Sequence, residues 1–182
     1  MLPGSGQTLE THMWSRDILT SMDLYLLRHG KAEKTAPEGG GDRERPLTLR
    51  GTTELKEIAS WLCTQGCIID CIATSPLIRA RQTAAIIAEK YPAAQGPELW
   101  EELAPGGDWD SLLSRIRQQH TTRSLLLIGH EPSMSAFIGQ IISGSGDVRI
   151  ELKKGGLAKI VNFFPSGESS GDLAWLLSPE IA

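Results

Sequence analysis

From residue 23 onward, apolar runs of strand length alternate with stretches whose apolar residues recur at helical spacing. Residues 23–27 (DLYLL) form a short apolar run that stops at Arg28-His29-Gly30, the pattern of a buried strand ended by a glycine. A polar, glycine-rich stretch over 31–45 predicts a loop. Thr48 then predicts an N-cap for a helix whose Leu55, Ile58, Ala59 and Leu62 share one face and which ends near Gly66. Residues 68–74 (IIDCIAT) read as a second strand. Ser75-Pro76 reads as a capping serine with proline at the first helical position, and Ala80, Ala84 and Ile87 as the buried stripe of that helix.

Downstream, 91–97 reads as a turn region and 98–100 as a short strand. Asp108 should cap a helix packed through Leu112, Leu113 and Ile116. Residues 124–128 (SLLLI) give the clearest strand, running into Gly129-His130. Pro132 opens another helix to about Ser143. The last third predicts two or three strands, around Ile150, over 157–163 and over 172–177, joined by glycine-rich turns and so antiparallel. The string Gly167-Glu168-Ser169-Ser170-Gly171 matches a nucleophile elbow by letter only. A strand follows it where a helix is required, so it reads as a hairpin loop. The whole is one α/β domain with a mixed sheet.

Composition sharpens this. At 182 residues with 40% apolar and 22% charged positions, the chain can bury a full core. Its net charge of −4 carries no basic excess to hold a nucleic-acid backbone, and no apolar run is long enough for a membrane span. The first 21 residues lack the basic start and apolar stretch of an export signal and read as a loose arm. Met22 precedes the first strand, so the folded domain is expected over 22–182, with the arm a candidate over-extended start. Cys63, Cys67 and Cys71 are expected as free thiols of a cytoplasmic protein, serving as small buried hydrophobes rather than metal ligands.

Three strand ends carry an unusual polar set: Arg28-His29-Gly30, Ser75-Pro76 with Arg79 one turn on, and Gly129-His130. Parallel strands bring their carboxyl ends to one sheet edge, where ligands bind. Two arginines, two histidines and helix N-termini on that edge would form an anion pocket, with phosphate the obvious occupant because guanidinium forks match its oxygens. Lys31 and Lys34 could steer an anion toward it or belong to a solvated loop. Trp61, Trp100, Trp109 and Trp175 read as core or half-buried packing.

Leu26-Leu27-Arg28-His29-Gly30, then Leu47-Thr48 with Gly51, then Ser75-Pro76-Leu77-Ile78-Arg79-Ala80-Arg81-Gln82-Thr83, then Leu127-Ile128-Gly129-His130, resemble in this order the histidine phosphatase superfamily. Arg28-His29-Gly30-Lys31-Ala32, the 102–108 stretch and the Trp175-Leu176-Leu177-Ser178-Pro179 ending look like its SixA-type phosphohistidine phosphatase branch. The resemblance implies a single three-layer α/β/α domain with a mostly parallel mixed sheet, phosphoglycerate mutase-like, with no large helical lid because Arg79 and Glu102 stand close in sequence. It implies a metal-independent and cofactor-independent phosphatase in which His29 is the nucleophile and Arg28, Arg79 and His130 hold the phosphoryl group. Glu102 is the candidate proton donor, matched to an acidic segment of the family with Trp100 in place of a leucine. Glu101 and Glu102 can equally be a solvated acidic pair. The substrate implied is phosphohistidine on a partner protein such as a phosphotransfer domain, met by a monomer in the cytoplasm without nucleic acid or membrane. A small phosphate ester, or phosphoprotein binding without turnover, are the alternatives.

Overall fold

The computed structural model describes residues 21–37, 39–119, 122–144, 148–165 and 169–180. Residues 1–20 of the proposed N-terminal arm and part of the 167–171 string lie outside these residues. Six strands form one sheet, β1 (Met22–Arg28), β2 (Cys71–Thr74), β3 (Gln95–Leu99), β4 (Ser124–Gly129), β5 (Leu157–Phe164) and β6 (Ser170–Leu177), in the order β3-β2-β4-β1-β5-β6. The pairs β1–β4, β2–β4 and β2–β3 are parallel, whereas β5 and β6 are added antiparallel. Four helices cover the sheet: α1 (Leu49–Thr64), α2 (Ile78–Ala88), α3 (Trp109–Arg117) and α4 (Ser133–Ser143).

Strand residues alternate faces, and each face collects its own helices. Leu24, Leu26, Leu125 and Leu127 pack with Leu112 and Ile116 of α3 and with Met134, Phe137 and Ile138 of α4. Tyr25, Leu27, Leu126 and Ile128 pack on the other face with Ile58, Ala59 and Leu62 of α1 and with Ala80, Ala84 and Ile87 of α2. The three-layer α/β/α arrangement expected from the sequence is therefore present. Between α2 and the turn at Glu101–Leu103 the chain forms only β3, so no helical lid is inserted there. No helix among the described residues is long and apolar enough to cross a membrane.

The caps at Thr48 and Asp108 form as predicted. Thr48 accepts a hydrogen bond from the Gly51 N–H at 2.9 Å and Asp108 from the Ser111 N–H at 2.8 Å, each contact worth about 1 kcal/mol.

Elsewhere the sequence reading is corrected. β2 begins at Cys71 rather than at Ile68, which is 68% exposed. The Asp70 carboxylate instead receives the N–H groups of Arg123 and Ser124, tying the start of β2 to that of β4. The segment around Ile150 is not a strand: Leu152 turns its carbonyl to the Arg28 side chain, and the N–H of Gly155 reaches the carbonyls of Arg28 and His29. All three cysteines are free, but only Cys71 is buried; Cys63 is exposed and Cys67 intermediate. Cys63 sits on the solvent side of α1, between the inward-facing positions. Trp100 is fully buried, and Trp61, Trp109 and Trp175 are half-buried against the core.

Candidate active site

The parallel strands β1, β2 and β4 end side by side, because Arg28 lies in register with Gly129 and Thr74 with Ile128. His29, Ser75 and His130 are the residues that follow or close these strands, so one sheet edge receives all three. Arg79 arrives from the first turn of α2. The structure thus brings together His29, Arg79 and His130, nearly sealed from solvent at 7%, 4% and 3% exposure, with Arg28 near enough for its charge to act on both rings.

Hydrogen bonds fix the state of each ring. His29 Nδ1 lies 2.7 Å from the Gly30 carbonyl, which can only accept, so Nδ1 carries the proton. Its Nε2 is left with a lone pair, toward which Arg79 Nε donates at 3.3 Å. His130 is set the other way round. Its Nδ1 accepts from Arg79 Nη2 at 3.5 Å, and its Nε2–H donates to the Ser75 hydroxyl at 2.8 Å. The two rings stand 4.8 Å apart, centre to centre.

Burial drives the His29 imidazole down to about 3; its bond to Gly30 opposes this, and the charges of His130, Arg79 and Arg28 add to it. Burial, followed by the Arg79 charge, takes His130 down to about 4. Both rings are therefore neutral near neutral pH, and the Nε2 of His29 is unprotonated, its lone pair turned to the Arg79 Nε–H.

The surrounding shell holds this arrangement. Thr83 Oγ1 accepts from the Gly30 N–H at 3.2 Å and donates to the Arg79 carbonyl at 2.7 Å, joining the loop after β1 to α2. Arg28 donates through Nη1 to the Leu152 carbonyl at 2.9 Å. Burial lowers its pKa while Glu131 raises it. A Cβ on Gly30 would come within 2.6 Å of Leu55 Cδ1. The close approach that needs glycine there is made by the core side chain of α1.

Several local features differ from the sequence reading. Ser75 does not cap α2, which begins at Ile78 with Leu77 in the capping position. Its hydroxyl is taken up by His130 Nε2 and the Leu77 N–H. Glu102 lines a surface hollow with Asp110, Ser111, Ser114, Arg115 and Gln118 on the α3 side, and Glu101 is exposed and within 3.7 Å of Arg43. Lys31 is held by Glu54 at 2.6 Å.

Three polar residues went unrecognised in the sequence. Ser75 was read as a cap and as part of a polar strand end, with no partner of its own named. Glu131 directly follows His130, and one of its oxygens is held by Ser135 while the other is buried without a partner among the described residues. Asp42 comes from the loop before α1 and binds Arg79 through both its backbone carbonyl, at 2.7 Å, and its carboxylate, at 3.0 Å. An acidic residue within the polar 31–45 loop was the only signal for it.

Two arginines and two neutral imidazoles around one nucleophilic nitrogen suit phosphoryl transfer through a histidine. Comparison with known proteins agrees in kind. The chain is 36% identical over 138 residues to an uncharacterized protein of Picosynechococcus, covering 75% of this chain and 82% of that one. It is 32% identical over 126 residues to the phosphohistidine phosphatase SixA of Escherichia coli K12, covering 68% and 76%. Among solved structures, the protein histidine phosphatase SixA complexed with tungstate superposes with a TM-score of 0.75 at 27% identity, covering 87% of this chain and 97% of that one. The family model for the histidine phosphatase superfamily (branch 1) matches residues 24–123, and the chain belongs to that superfamily as a SixA-like member.

Proposed function

We propose that this chain removes the phosphoryl group from phosphohistidine on a partner protein by way of a phosphohistidine formed on His29. The observation that carries this reading is the His29 ring itself, with Nδ1–H committed to the Gly30 carbonyl and Nε2 unprotonated and facing Arg79 Nε. In the first step the Nε2 lone pair forms a bond to phosphorus. The bond from phosphorus to the substrate imidazole nitrogen breaks, and its electron pair stays on that ring. Arg28 and Arg79 hold the phosphoryl oxygens as charge shifts, and His130 joins them as the imidazolium, whose Nδ1–H, the nitrogen turned toward Arg79 in the free site, then donates. In the second step a water oxygen bonds to phosphorus, and the bond to His29 Nε2 breaks, restoring the lone pair. The water proton passes to solvent, and inorganic phosphate leaves.

The substrate class follows from two further points. Imidazole is a far better leaving group than an alkoxide, so phosphohistidine needs no strong acid at the leaving side. Glu102, the candidate acid, lines a hollow with residues of α3, so a role for it at the leaving side is not required by this reading. The open edge with no helical insertion suits a phosphorylated side chain standing on another protein, and the SixA relatives act in name on phosphohistidine. The partner proposed is a phosphotransfer domain, and the chain is proposed to meet it as a cytoplasmic monomer, without metal or cofactor.

The test is phosphate release by the purified protein from a histidine-phosphorylated protein and from an aryl phosphate, side by side. Fast release from the first and little from the second is expected. The reverse preference would assign a small phosphate ester as substrate. Release from neither, with the phosphoprotein still bound, would make the chain a binding module.

A further inference from the structure

Arg79 is the central anion-binding group of the proposed site, yet one side of its guanidinium is already taken by an internal anion. Nη1 donates to the Asp42 backbone carbonyl at 2.7 Å and Nη2 to the Asp42 carboxylate at 3.0 Å. The other side faces the rings, with Nε 3.3 Å from His29 Nε2 and Nη2 3.5 Å from His130 Nδ1. A phosphoryl group bonding to His29 Nε2 must meet the Nε side of the guanidinium. The Asp42 carboxylate on Nη2 and a phosphoryl group meeting Nε would thus share one guanidinium.

The carboxylate is firmly placed. Its Oδ1 receives Arg45 Nε at 2.7 Å, and Arg45 in turn donates from Nη1 to the Glu33 carbonyl at 2.8 Å. Slight burial raises the Asp42 carboxyl, but hydrogen bonds from Arg45 and Arg79 outweigh this and hold it below its ordinary range. A negative charge is therefore fixed beside the phosphoryl position at neutral pH.

Two consequences oppose each other. The carboxylate and carbonyl together hold the guanidinium plane in place. The same carboxylate repels any anion that Arg79 binds, and the repulsion grows with the charge on that anion. Inorganic phosphate and phosphate esters present up to two negative charges. A phosphoryl group carried on an imidazole whose other nitrogen is protonated presents a smaller net charge.

We propose that Asp42 determines anion selectivity, its carboxylate sharing Arg79 with the bound phosphoryl group and disfavouring free phosphate and ionised esters relative to phosphohistidine. This rests on the phosphohistidine reading for its choice of favoured substrate, but the repulsion of free phosphate stands independently of it. In function it would speed the departure of product from a pocket otherwise built to retain it.

The test is Asp42→Asn, with Asp42→Ala as a second variant; both keep the backbone carbonyl contact to Arg79. The Asp42 side chain is 61% exposed, so neither change disturbs the core. Binding of inorganic phosphate to the whole protein is measured directly by titration calorimetry. The Asn variant should bind phosphate about five- to ten-fold more tightly than the natural protein, with the gap narrowing as salt is added. Its kcat/KM for an aryl phosphate should rise relative to that for a phosphohistidine protein. Unchanged or weaker phosphate binding in both variants would overturn the proposal and leave Asp42 as a clamp on Arg79. Because binding is read without turnover, tighter phosphate binding in a protein that hydrolyses no phosphohistidine would separate failure of the substrate assignment from failure of this inference.

Discussion

Acid should destabilise this fold through its two buried imidazoles. His29 and His130 are 7% and 3% exposed, and burial with the neighbouring arginines takes them to about 3 and about 4. In the unfolded chain both titrate near 6.5, roughly the ordinary histidine value. Between these limits the unfolded chain binds protons that the folded chain refuses, so stability falls as pH falls. The contribution is complete above pH ~6.5 and drains as pH drops toward the folded values. Each ring approaches a loss of about 1.4 kcal/mol per pH unit below pH ~6 and loses less near pH ~6.5, so the pair removes about 3 kcal/mol between pH ~6.5 and ~5. That is a large share of a domain stability of about 5–15 kcal/mol. Asp42 and Glu54, held low by their basic partners, lose their contribution only as pH falls below the ordinary carboxyl range, so they leave this window to the histidines. The assay is urea unfolding at pH ~7 and ~5 for the natural protein and for a His29→Asn, His130→Asn double variant. The natural protein should lose about 3–4 kcal/mol more than the variant across that interval. Equal losses would refute the reasoning that the rings are buried neutral.

Three other outcomes follow from the same geometry. A Cβ on Gly51 would stand 2.2 Å from the Lys31 carbonyl oxygen, which is backbone and cannot swing aside. Gly51→Ala should therefore lower stability by about 2 kcal/mol and loosen the loop that carries Asp42, as read by thermal unfolding and by proteolysis within 31–45. Arg79→Lys removes the fork that joins both rings to Asp42, and kcat/KM on phosphohistidine should fall by about 100-fold or more, with the thermal midpoint changing little. Glu102→Gln should leave phosphohistidine hydrolysis within about two-fold of the natural protein, because that side chain faces the α3 hollow; a loss of about 100-fold would return it to the role of proton donor.

Much of this architecture was legible because its signals are local. The apolar runs at 23–27 and 124–128 became the adjacent parallel strands β1 and β4, and the caps at Thr48 and Asp108 sit where the letters placed them. The four grouped residues could be found because strand ends share an edge once the sheet is known to be parallel. What failed depends on contacts distant in sequence. Ser75 has the local chemistry of a cap, but its hydroxyl is claimed by His130, 55 residues away. The stretch around Ile150 has strand-like letters, yet its Leu152 carbonyl is spent on Arg28, 124 residues earlier. Asp42 lies in a loop with no periodicity, so only tertiary structure reveals it on Arg79, 37 residues on. Glu102 was chosen by matching an acidic segment of the family; in the 3-10 turn at Glu101–Leu103 the Leu103 side chain is buried while Glu102 lines the hollow beside α3, and substitution decides its role.

The covalent intermediate is the central claim, and it can be trapped. The protein is mixed with a histidine-phosphorylated protein, quenched into alkali during turnover to preserve the phosphorus–nitrogen bond, digested, and mapped by mass spectrometry. The account predicts a phosphoryl group on the peptide bearing His29, lost together with turnover in His29→Ala. Continued turnover with no phosphoryl group on His29, or with the group on His130 instead, would contradict it.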